Sequence, residues 1–169
     1  EYPVVTSSDK NGIRKYPVHI NAKGKGVKIR LESQAENTEW IVSEALQAAY
    51  TGAKVVILRN TVRDCIHTYQ EAEKLASNRN ILFSVNGRTA PHHSRFARED
   101  RSLLDSWVEK VFGKNRTPGG KVLVATQTIQ QSLDLDFDYM ITDLCPMDVL
   151  LQRIGRLHRH KEAERPQSY

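Results

Sequence analysis

The sequence predicts a three-layer α/β domain in which helices cover both faces of a mainly parallel sheet. Short, continuously apolar segments of strand length, such as KVVILRN and KVLVATQ, alternate with longer segments whose apolar residues recur at helical spacing. Strands that alternate with helices in this way form right-handed βαβ units and pair in parallel. The 169 residues are enough for one domain with a sizeable core.

Residues 1–35 depart from this pattern and predict an N-terminal β-hairpin extension. Two strands, over about 16–20 and 27–32, flank a turn rich in glycine and lysine. Residues 1–30 contain seven lysines and arginines against two acidic residues. This charge is typical either of an edge hairpin protected by lysines or of a surface that contacts nucleic acid. We place a domain boundary between this segment and residues 36–169.

In the main domain the predicted elements follow one another in a regular order. Asn37 or Thr38 caps the first helix, Gly52 ends it, and Pro146 begins the last helix. The elements are helices over 38–50, 61–76, 99–112 and from 146 onward, and strands over 54–60, 80–86, 121–127 and 139–144. Ligands of open parallel sheets bind outside the carboxyl ends of the strands. We expect that edge to carry Asn60, Asn86, Thr126 and Gln127.

The last helix, which contains LLQRIGRLHR, has a basic face. At 100° per residue, Gln152, Arg156 and Arg159 lie together, opposite an apolar face of Met147, Leu150, Leu151, Ile154 and Leu157. Gly155 between the arginines weakens the helix and indicates a close approach by another molecule. Neither Arg156 nor Arg159 has an acidic residue four positions away, so both guanidinium groups are available to bind phosphate. The alternative is a basic face that is simply exposed to solvent.

A second basic group precedes the helix over 99–112. Arg95, Arg98 and Arg101 lie in the loop and first turn of that helix. Positive charge is unfavourable there, because the start of a helix attracts anions. Contact with nucleic-acid phosphates would compensate for this placement.

The amino-acid composition restricts the classes of function that the chain can have. The net charge of +5 and the isoelectric point near 9.3 favour a polyanionic partner. Cys65 and Cys145 are too few for a disulfide framework, and no signal peptide or apolar run of membrane-spanning length occurs, so we expect a soluble cytoplasmic protein. The histidines lack zinc-site spacing, and no metal site is expected. Because the chain begins with Glu1 rather than Met, we expect it to be part of a longer polypeptide.

A complete nucleotide site is not encoded in this sequence. Neither GKT nor GKS occurs, no GxGxxG follows a strand, and no paired acidic residues of the DExH type end a strand. If the basic face of the last helix meets a nucleotide, the main phosphate-binding loop must belong to another domain.

Two segments carry a family resemblance. VLVATQTIQQSLDLD followed by QRIGRLHRH resembles motifs V and VI of superfamily 2 helicases, in which a second RecA-like domain completes an ATP site begun by the first. Within that superfamily, QSLDLDFD, TDLCPMD, LRNTV and HSRFAREDR are similar to the CRISPR-associated helicase–nuclease of type I systems. The resemblance extends over about residues 39–160 and implies a RecA-like fold.

The resemblance also implies roles for individual residues. Arg156 and Arg159 match the arginines that face the nucleotide phosphates, with Arg159 as the arginine finger, and Gln152 matches the polar residue beside the γ-phosphate. Asp134 matches the carboxylate near the ribose, and Gly155 lies within the same nucleotide-binding motif. The positions that match nucleic-acid contacts are Thr126 and Gln127 in motif V, and Asn60 and Thr61 in the loop of motif IV.

The implied function is that of the second motor domain of an ATP-dependent helicase that translocates on single-stranded DNA in CRISPR interference. ATP with Mg²⁺ would be bound mainly by the first RecA-like domain of the same polypeptide, which would also contain a nuclease domain. An RNA-guided target-recognition complex would be the partner. The isolated chain is expected to be inactive because it lacks the phosphate loop. Two alternatives stay open: another superfamily 2 DNA or RNA helicase domain, and a non-enzymatic nucleic-acid binding module.

Overall fold

The chain has an α/β fold. The computed structural model describes residues 4–10, 12–17, 26–130, 133–160 and 165–167. The chain divides into two compact units, Glu1–Arg30 and Leu31–Tyr169. The second unit contains a three-stranded parallel sheet with helices packed on both faces. The predicted fold class is therefore confirmed.

The first unit contains an antiparallel hairpin. Its strands are β1 (Val4–Asp9) and β2 (Gly12–Pro17), and Gly12 has a φ of +119°, which favours glycine. The sequence predicts a hairpin here, but with strands over 16–20 and 27–32. The second of these is wrong, because residues 27–32 form no strand, and residues 18–25 lie outside the described part of the chain. An Asn-Gly pair at 11–12 is a stronger hairpin signal than the glycine- and lysine-rich run.

The helices and strands of the second unit follow the predicted order, except that a short hairpin replaces the strand predicted over 80–86. The helices are α1 (Thr38–Tyr50), α2 (Val62–Leu75), α3 (Arg98–Phe112) and α4 (Met147–Ile154). The strands are β3 (Lys54–Leu58), β4 (Ser84–Val85), β5 (Arg88–Thr89), β6 (Lys121–Ala125) and β7 (Tyr139–Thr142). The Asn37 side chain accepts a hydrogen bond from the Trp40 amide at 3.0 Å, so the predicted cap of α1 is confirmed. Within the described ranges, no helix has both the length and the apolarity needed to cross a membrane.

The sheet has the strand order β6-β3-β7, and both pairs are parallel. All of β3 is buried, which explains why this segment is an unbroken apolar run. Backbone outside the named strands extends the edge at β6: the Phe83 amide donates to the Val122 carbonyl at 2.8 Å, and the His92 amide to the Val124 carbonyl at 2.9 Å. β6 is therefore hydrogen-bonded on both sides.

Side chains of β3 alternate between the two faces of the sheet. Val55 and Ile57 pack in a cluster with residues of α1 and α2, whereas Val56 and Leu58 pack in a second cluster with residues of α3. Each fully buried aliphatic side chain of this kind contributes about 1.5–3 kcal/mol. The result is three layers, with α1 and α2 on one face of the sheet and α3 on the other.

The segment 80–86 is not the predicted strand. Arg79–Ile81 form a 3₁₀ turn, and β4 pairs with β5 in a short hairpin. Asn86 and Gly87 have positive φ angles of 50° and 79°, because an Asn-Gly pair favours a tight hairpin turn. Asn86 therefore lies in this turn, and its predicted place at the carboxyl edge of the sheet is wrong.

α4 is shorter than predicted. It ends at Ile154, with Gly155 as its C-cap, and the following residues are not helical. Arg156 and Arg159 therefore lie beyond the helix, and their predicted placement on its basic face is wrong. A glycine just after a periodic segment is a helix stop signal, and that signal prevails over the apolar periodicity.

The predicted apolar face of α4 is also wrong. Met147 and Leu151 are 67% and 60% exposed, whereas Arg153 is 1% exposed. Helical periodicity alone predicts that Arg153 faces solvent. Here the arginine is buried because it has hydrogen-bond partners at the ends of two strands, which local periodicity does not detect.

Candidate functional site

The carboxyl ends of the three strands meet at one edge of the sheet. The Arg59 amide donates to the Ala125 carbonyl at 2.9 Å, and the Asp143 amide donates to the Leu58 carbonyl at 3.0 Å. The residues that follow β3, β6 and β7 therefore lie side by side. Three of the four residues predicted for this edge are there: Asn60, Thr126 and Gln127.

Asn60 is held by hydrogen bonds within the domain. Its backbone amide donates to Asp143 Oδ2 at 2.7 Å, and its side-chain Nδ2 donates to the Leu144 carbonyl at 2.7 Å. Its Oδ1 accepts from Arg153 Nη2 at 3.1 Å. Asn60, Asp143 and Arg153 are termed the edge cluster. Asn60 is exposed, yet both polar atoms of its side chain have partners in the domain.

Arg153 connects α4 to the edge cluster. Besides Asn60, its guanidinium donates to the Asp143 carbonyl at 3.1 Å and to the Thr142 hydroxyl. Arg59 is buried beside it, with Nε 3.4 Å from Asp143 Oδ2 and Nη2 donating to the Ala35 carbonyl at 3.0 Å. The edge cluster thus ties the ends of β3 and β7 to α4 through charge-assisted hydrogen bonds.

Thr61 caps α2. Its hydroxyl accepts from the Asp64 amide at 3.0 Å and lies 2.6 Å from Asp64 Oδ2, to which it donates. That hydrogen bond is the main reason why the pKa of Asp64 is lowered. Thr61 therefore has a structural role, and its predicted contact with nucleic acid stays a prediction.

A series of side-chain hydrogen bonds lies beneath the loop after β6. Thr126 Oγ1 is 3.2 Å from Thr128 Oγ1, which is 3.0 Å from His92 Nδ1. His92 Nε2 is 2.6 Å from Asp105 Oδ1 on α3. Thr126 and His92 are buried, whereas Gln127 is exposed. Thr126, Thr128, His92 and Asp105 are termed the hydroxyl chain.

Sequence reasoning considered His92 only as a metal ligand and missed the hydroxyl chain. Burial lowers the pKa of His92, and the hydrogen bond with Asp105 opposes that effect. The available sequence signal was the HSRFAREDR resemblance, which identifies the segment after His92 but gives this residue no role. Within the described ranges, no three His, Cys, Asp or Glu side chains are grouped as ligands for a metal ion.

The matches to motifs V and VI run side by side. Residues 133–138 and 156–158 are joined by backbone hydrogen bonds, from the Phe137 amide to the Arg156 carbonyl and from the His158 amide to the Phe137 carbonyl, both at 2.9 Å. Phe137 and Leu157 also form a parallel bridge. Backbone pairing, rather than a shared helix face, therefore brings the two motifs together.

Asp134, Arg156 and Arg159 lie on these paired segments and are termed the arginine cluster. Arg159 Nε is 2.8 Å from Asp134 Oδ1, and Arg156 Nη1 donates to the Leu133 carbonyl. The prediction that both guanidinium groups lack an internal partner is wrong, because their partners lie more than twenty positions away in the sequence. Burial lowers the pKa of Arg156, and the charge of Arg159 lowers it further.

The ion pair of the arginine cluster is open to solvent. The side chains of Arg159 and Asp134 are 42% and 52% exposed. Such a pair contributes about 0–1 kcal/mol, so separating the two groups costs little. The Arg159 side chain is therefore not locked into this ion pair.

Gln152 and Gly155 are exposed near the end of α4. Gly155 has an ordinary helical φ of −59°, so the backbone there does not require glycine. The close approach inferred from this glycine stays a prediction, as does the contact of Gln152 with a γ-phosphate.

The second basic group begins α3. Arg95 and Arg98 are exposed and Arg101 is half-buried. Glu99 and Asp100 share the first turn and complement the helix dipole, which weakens the argument that the arginines are misplaced there. Contact of the three arginines with nucleic acid stays a prediction.

The other acidic residues of QSLDLDFD belong to a buried charged cluster. Asp136 accepts from Arg165 Nη2 at 2.6 and 2.8 Å, and Asp138 accepts from Arg116 Nη1 at 2.8 Å. Asp138 also accepts from the backbone amide of Lys54, whose ammonium pKa is lowered to about 8, mainly by burial. This cluster lies at the amino end of β3, away from Asn60. Of the three aspartates, Asp134 alone is exposed.

Comparison with known proteins identifies the family. Residues 51–162 match the family model of the CRISPR-associated nuclease/helicase Cas3, C-terminal. The CRISPR-associated endonuclease/helicase Cas3 of Escherichia coli (strain K12) is 38% identical over 130 residues, which cover 76% of this chain and 14% of that protein.

Solved structures agree with this match. The structure of T. fusca Cas3-ATP superposes with a TM-score of 0.76 and 28% identity, over 99% of this chain and 21% of that one. A CRISPR RNA-guided surveillance complex, pre-nicking, contains a chain with a TM-score of 0.67 and 27% identity, over 94% of this chain and 20% of that one. This chain therefore spans about a fifth or less of the proteins that it matches, and it belongs to the family of Cas3 C-terminal domains.

Proposed function

We propose that the chain is the second RecA-like motor domain of an ATP-dependent helicase that translocates on single-stranded DNA in CRISPR interference. One observation carries the proposal: Arg156 and Arg159 lie with Asp134 on two paired segments, and Arg159 forms an exposed ion pair that is easily exchanged. A site of this kind suits phosphate groups presented by another domain. The activity belongs to a longer polypeptide that supplies the phosphate loop.

In the proposed nucleotide cycle, ATP with Mg²⁺ is bound mainly by the first RecA-like domain. When the two domains close, Arg159 leaves Asp134 and stabilises the negative charge that develops on the transferred phosphoryl group. Asp134 is then available to accept a hydrogen bond from a ribose hydroxyl. Arg156, held by the Leu133 carbonyl, contacts a second phosphate oxygen, and Gln152 lies beside the γ-phosphate.

In the proposed grip on DNA, the carboxyl edge of the sheet contacts the strand. Gln127 is exposed there and is the best-placed side chain, whereas Asn60, Thr61 and Thr126 already form hydrogen bonds within the domain. The positive charges come from the start of α3: Arg95, Arg98 and Arg101. Closing and opening of the domains would engage and release this grip in each cycle.

The proposed partners follow from the relatives. T. fusca Cas3 has been solved with ATP, and a related chain is part of an RNA-guided surveillance complex. We infer that the polypeptide containing this chain also includes a nuclease domain and docks on such a complex.

The division of the ATP site between two domains has a direct test. The purified chain should show no ATP hydrolysis with or without single-stranded DNA, and a polypeptide that joins it to a domain with a phosphate loop should hydrolyse ATP in a DNA-dependent manner. A coupled assay of phosphate release measures both. Turnover of a few per second by the chain alone, or no DNA-dependent turnover by the joined polypeptide, would contradict the proposal.

The phosphate-based grip predicts salt-dependent binding. Fluorescence anisotropy with labelled oligothymidylate should give an affinity that falls about 20- to 50-fold between 50 and 200 mM salt, as expected for three or four phosphate contacts, and that depends little on base sequence. Arg98→Gln should reduce the slope of log K against log salt by about 0.7. The control, Arg79→Gln, changes an exposed arginine outside this surface and should leave the slope unchanged. An affinity that does not vary with salt would refute the electrostatic grip.

A further inference from the structure

The direction of the hydroxyl chain is set at His92. The Asp105 carboxylate only accepts hydrogen bonds, so the hydrogen between the two groups lies on His92 Nε2. Burial lowers the pKa of the imidazole and so favours its neutral form. Its other nitrogen, Nδ1, is then an acceptor.

The two threonine hydroxyls must follow this direction. Thr128 donates its single hydrogen to His92 Nδ1 over 3.0 Å, so between the threonines Thr126 is the donor, over 3.2 Å. The Thr126 hydrogen therefore points into the domain. Phosphate oxygens are acceptors as well, so this hydroxyl is not available to donate to a DNA backbone, and its exposure of 3% agrees with an internal role.

The backbone of His92 supports the same loop. Its amide donates to the Val124 carbonyl at 2.9 Å, and its carbonyl accepts from the Thr126 amide at 2.9 Å. Asp105 lies on α3, the helix whose first turn contains Arg98 and Arg101. His92 therefore joins the loop after β6 to the helix that carries the basic group.

We propose that His92 is a positioning residue for the grip on nucleic acid. Together with Asp105, it orients the Thr128 and Thr126 hydroxyls and holds residues 126–130 so that Gln127 and the loop backbone face the strand. The inference rests on the proposed function, because the grip itself is part of that proposal.

Variants at Thr128 separate the hydrogen bond from side-chain size. In the 169-residue chain, Thr128→Val keeps the shape and removes the hydroxyl, and it should weaken binding of labelled oligothymidylate by about threefold to tenfold. Thr128→Ser keeps the hydroxyl and should bind like the parent. The matched control is Thr68→Val, since the buried Thr68 hydroxyl has no hydrogen-bond partner among the described residues, and it should also bind like the parent. A circular dichroism melt of each variant checks the fold.

The imidazole itself gives a spectroscopic test. Nitrogen-15 NMR shifts of His92 should report the Nε2–H tautomer in the parent and in Thr68→Val. Asp105→Leu keeps a similar shape and removes the acceptor of the Nε2 hydrogen, so the Nε2–H tautomer should lose its preference, and DNA affinity should fall as it does in Thr128→Val.

The possible failures are distinguishable. An Nδ1–H tautomer in the parent, or parental affinity in Thr128→Val, would overturn the positioning role while leaving the proposed function intact. A parent that shows the Nε2–H tautomer but does not bind oligothymidylate would overturn the proposed grip, and the positioning role with it.

Discussion

Replacing Arg159 with lysine should lower DNA-stimulated ATP hydrolysis by about a hundredfold or more in a polypeptide that joins this chain to a domain with a phosphate loop. Lysine keeps the positive charge but lacks the planar fork that contacts two phosphate oxygens, and arginine fingers contribute about 10³–10⁵ in rate. Steady-state turnover at saturating single-stranded DNA measures the effect. The ion pair with Asp134 is exposed, so losing it should change the free energy of unfolding by less than about 1 kcal/mol.

Arg79→Lys is the matched control for this experiment. Arg79 is exposed in the 3₁₀ turn before β4 and lies outside the arginine cluster, so its replacement should leave turnover at the parental rate. DNA binding by Arg159→Lys should survive, because Arg159 is assigned to the nucleotide and not to the strand. If the Arg159 variant folds normally and hydrolyses ATP at the parental rate, the arginine-finger assignment is wrong.

Replacing Arg153 with methionine should reduce the free energy of unfolding by about 2–4 kcal/mol. Methionine fills a similar volume but removes the hydrogen bonds to Asn60, Thr142 and the Asp143 carbonyl. A hydrogen bond from a charged group contributes about 1.5–3 kcal/mol, and acceptors that water reaches recover part of that loss, so the total stays below the sum of three bonds. Urea denaturation followed by circular dichroism measures the change.

Leu151, two residues before Arg153, provides a comparison variant for stability. Leu151→Gln places a polar residue where helical periodicity predicts core, yet Leu151 is 60% exposed, so the change in stability should stay within about 0.5 kcal/mol. If Leu151→Gln were the more damaging of the two variants, the orientation of α4 described above would be incorrect.

Much of the fold follows from signals that are local in the sequence. The cap at Asn37 and the apolar periodicity locate α1, α2 and α3 to within about a residue. The unbroken apolar runs identify β3 and β6, because strands buried on both faces leave no room for polar alternation. These elements agree with their sequence signals because their tertiary contacts reinforce local preference.

The incorrect predictions have two causes. Some segments are set by a turn signal of two residues, and others by a hydrogen-bond partner outside the local helical pattern. The sequence has Asn-Gly pairs at 11–12 and 86–87, next to both hairpins, and neither pair entered the strand predictions. Arg153 is buried because the Asp143 carbonyl and the side chain of Asn60, which is 93 positions away in the sequence, accept its hydrogen bonds. No periodicity in a single helix identifies such partners.

The candidate site was predictable in part. The motif resemblance pointed to Arg156, Arg159 and Asp134, which the structure places together, although by backbone pairing and not on one helix face. No signal in the sequence identified His92 as a site residue, and the reason is physical. Its partners, Thr128 and Asp105, come from a loop and a helix that meet only after the sheet has formed.

The pairing of β6 on both sides has a mechanical consequence. A load on residues 126–130 would pull β6 along its own axis, and every registered pair between β6 and β3, from Lys54 with Lys121 to Leu58 with Ala125, would be sheared at the same time. The bonds from Phe83 and His92 on the outer edge would be sheared together with them. A strand loaded in this geometry cannot be unzipped one bond at a time, so a pull on the loop is transmitted to the whole sheet.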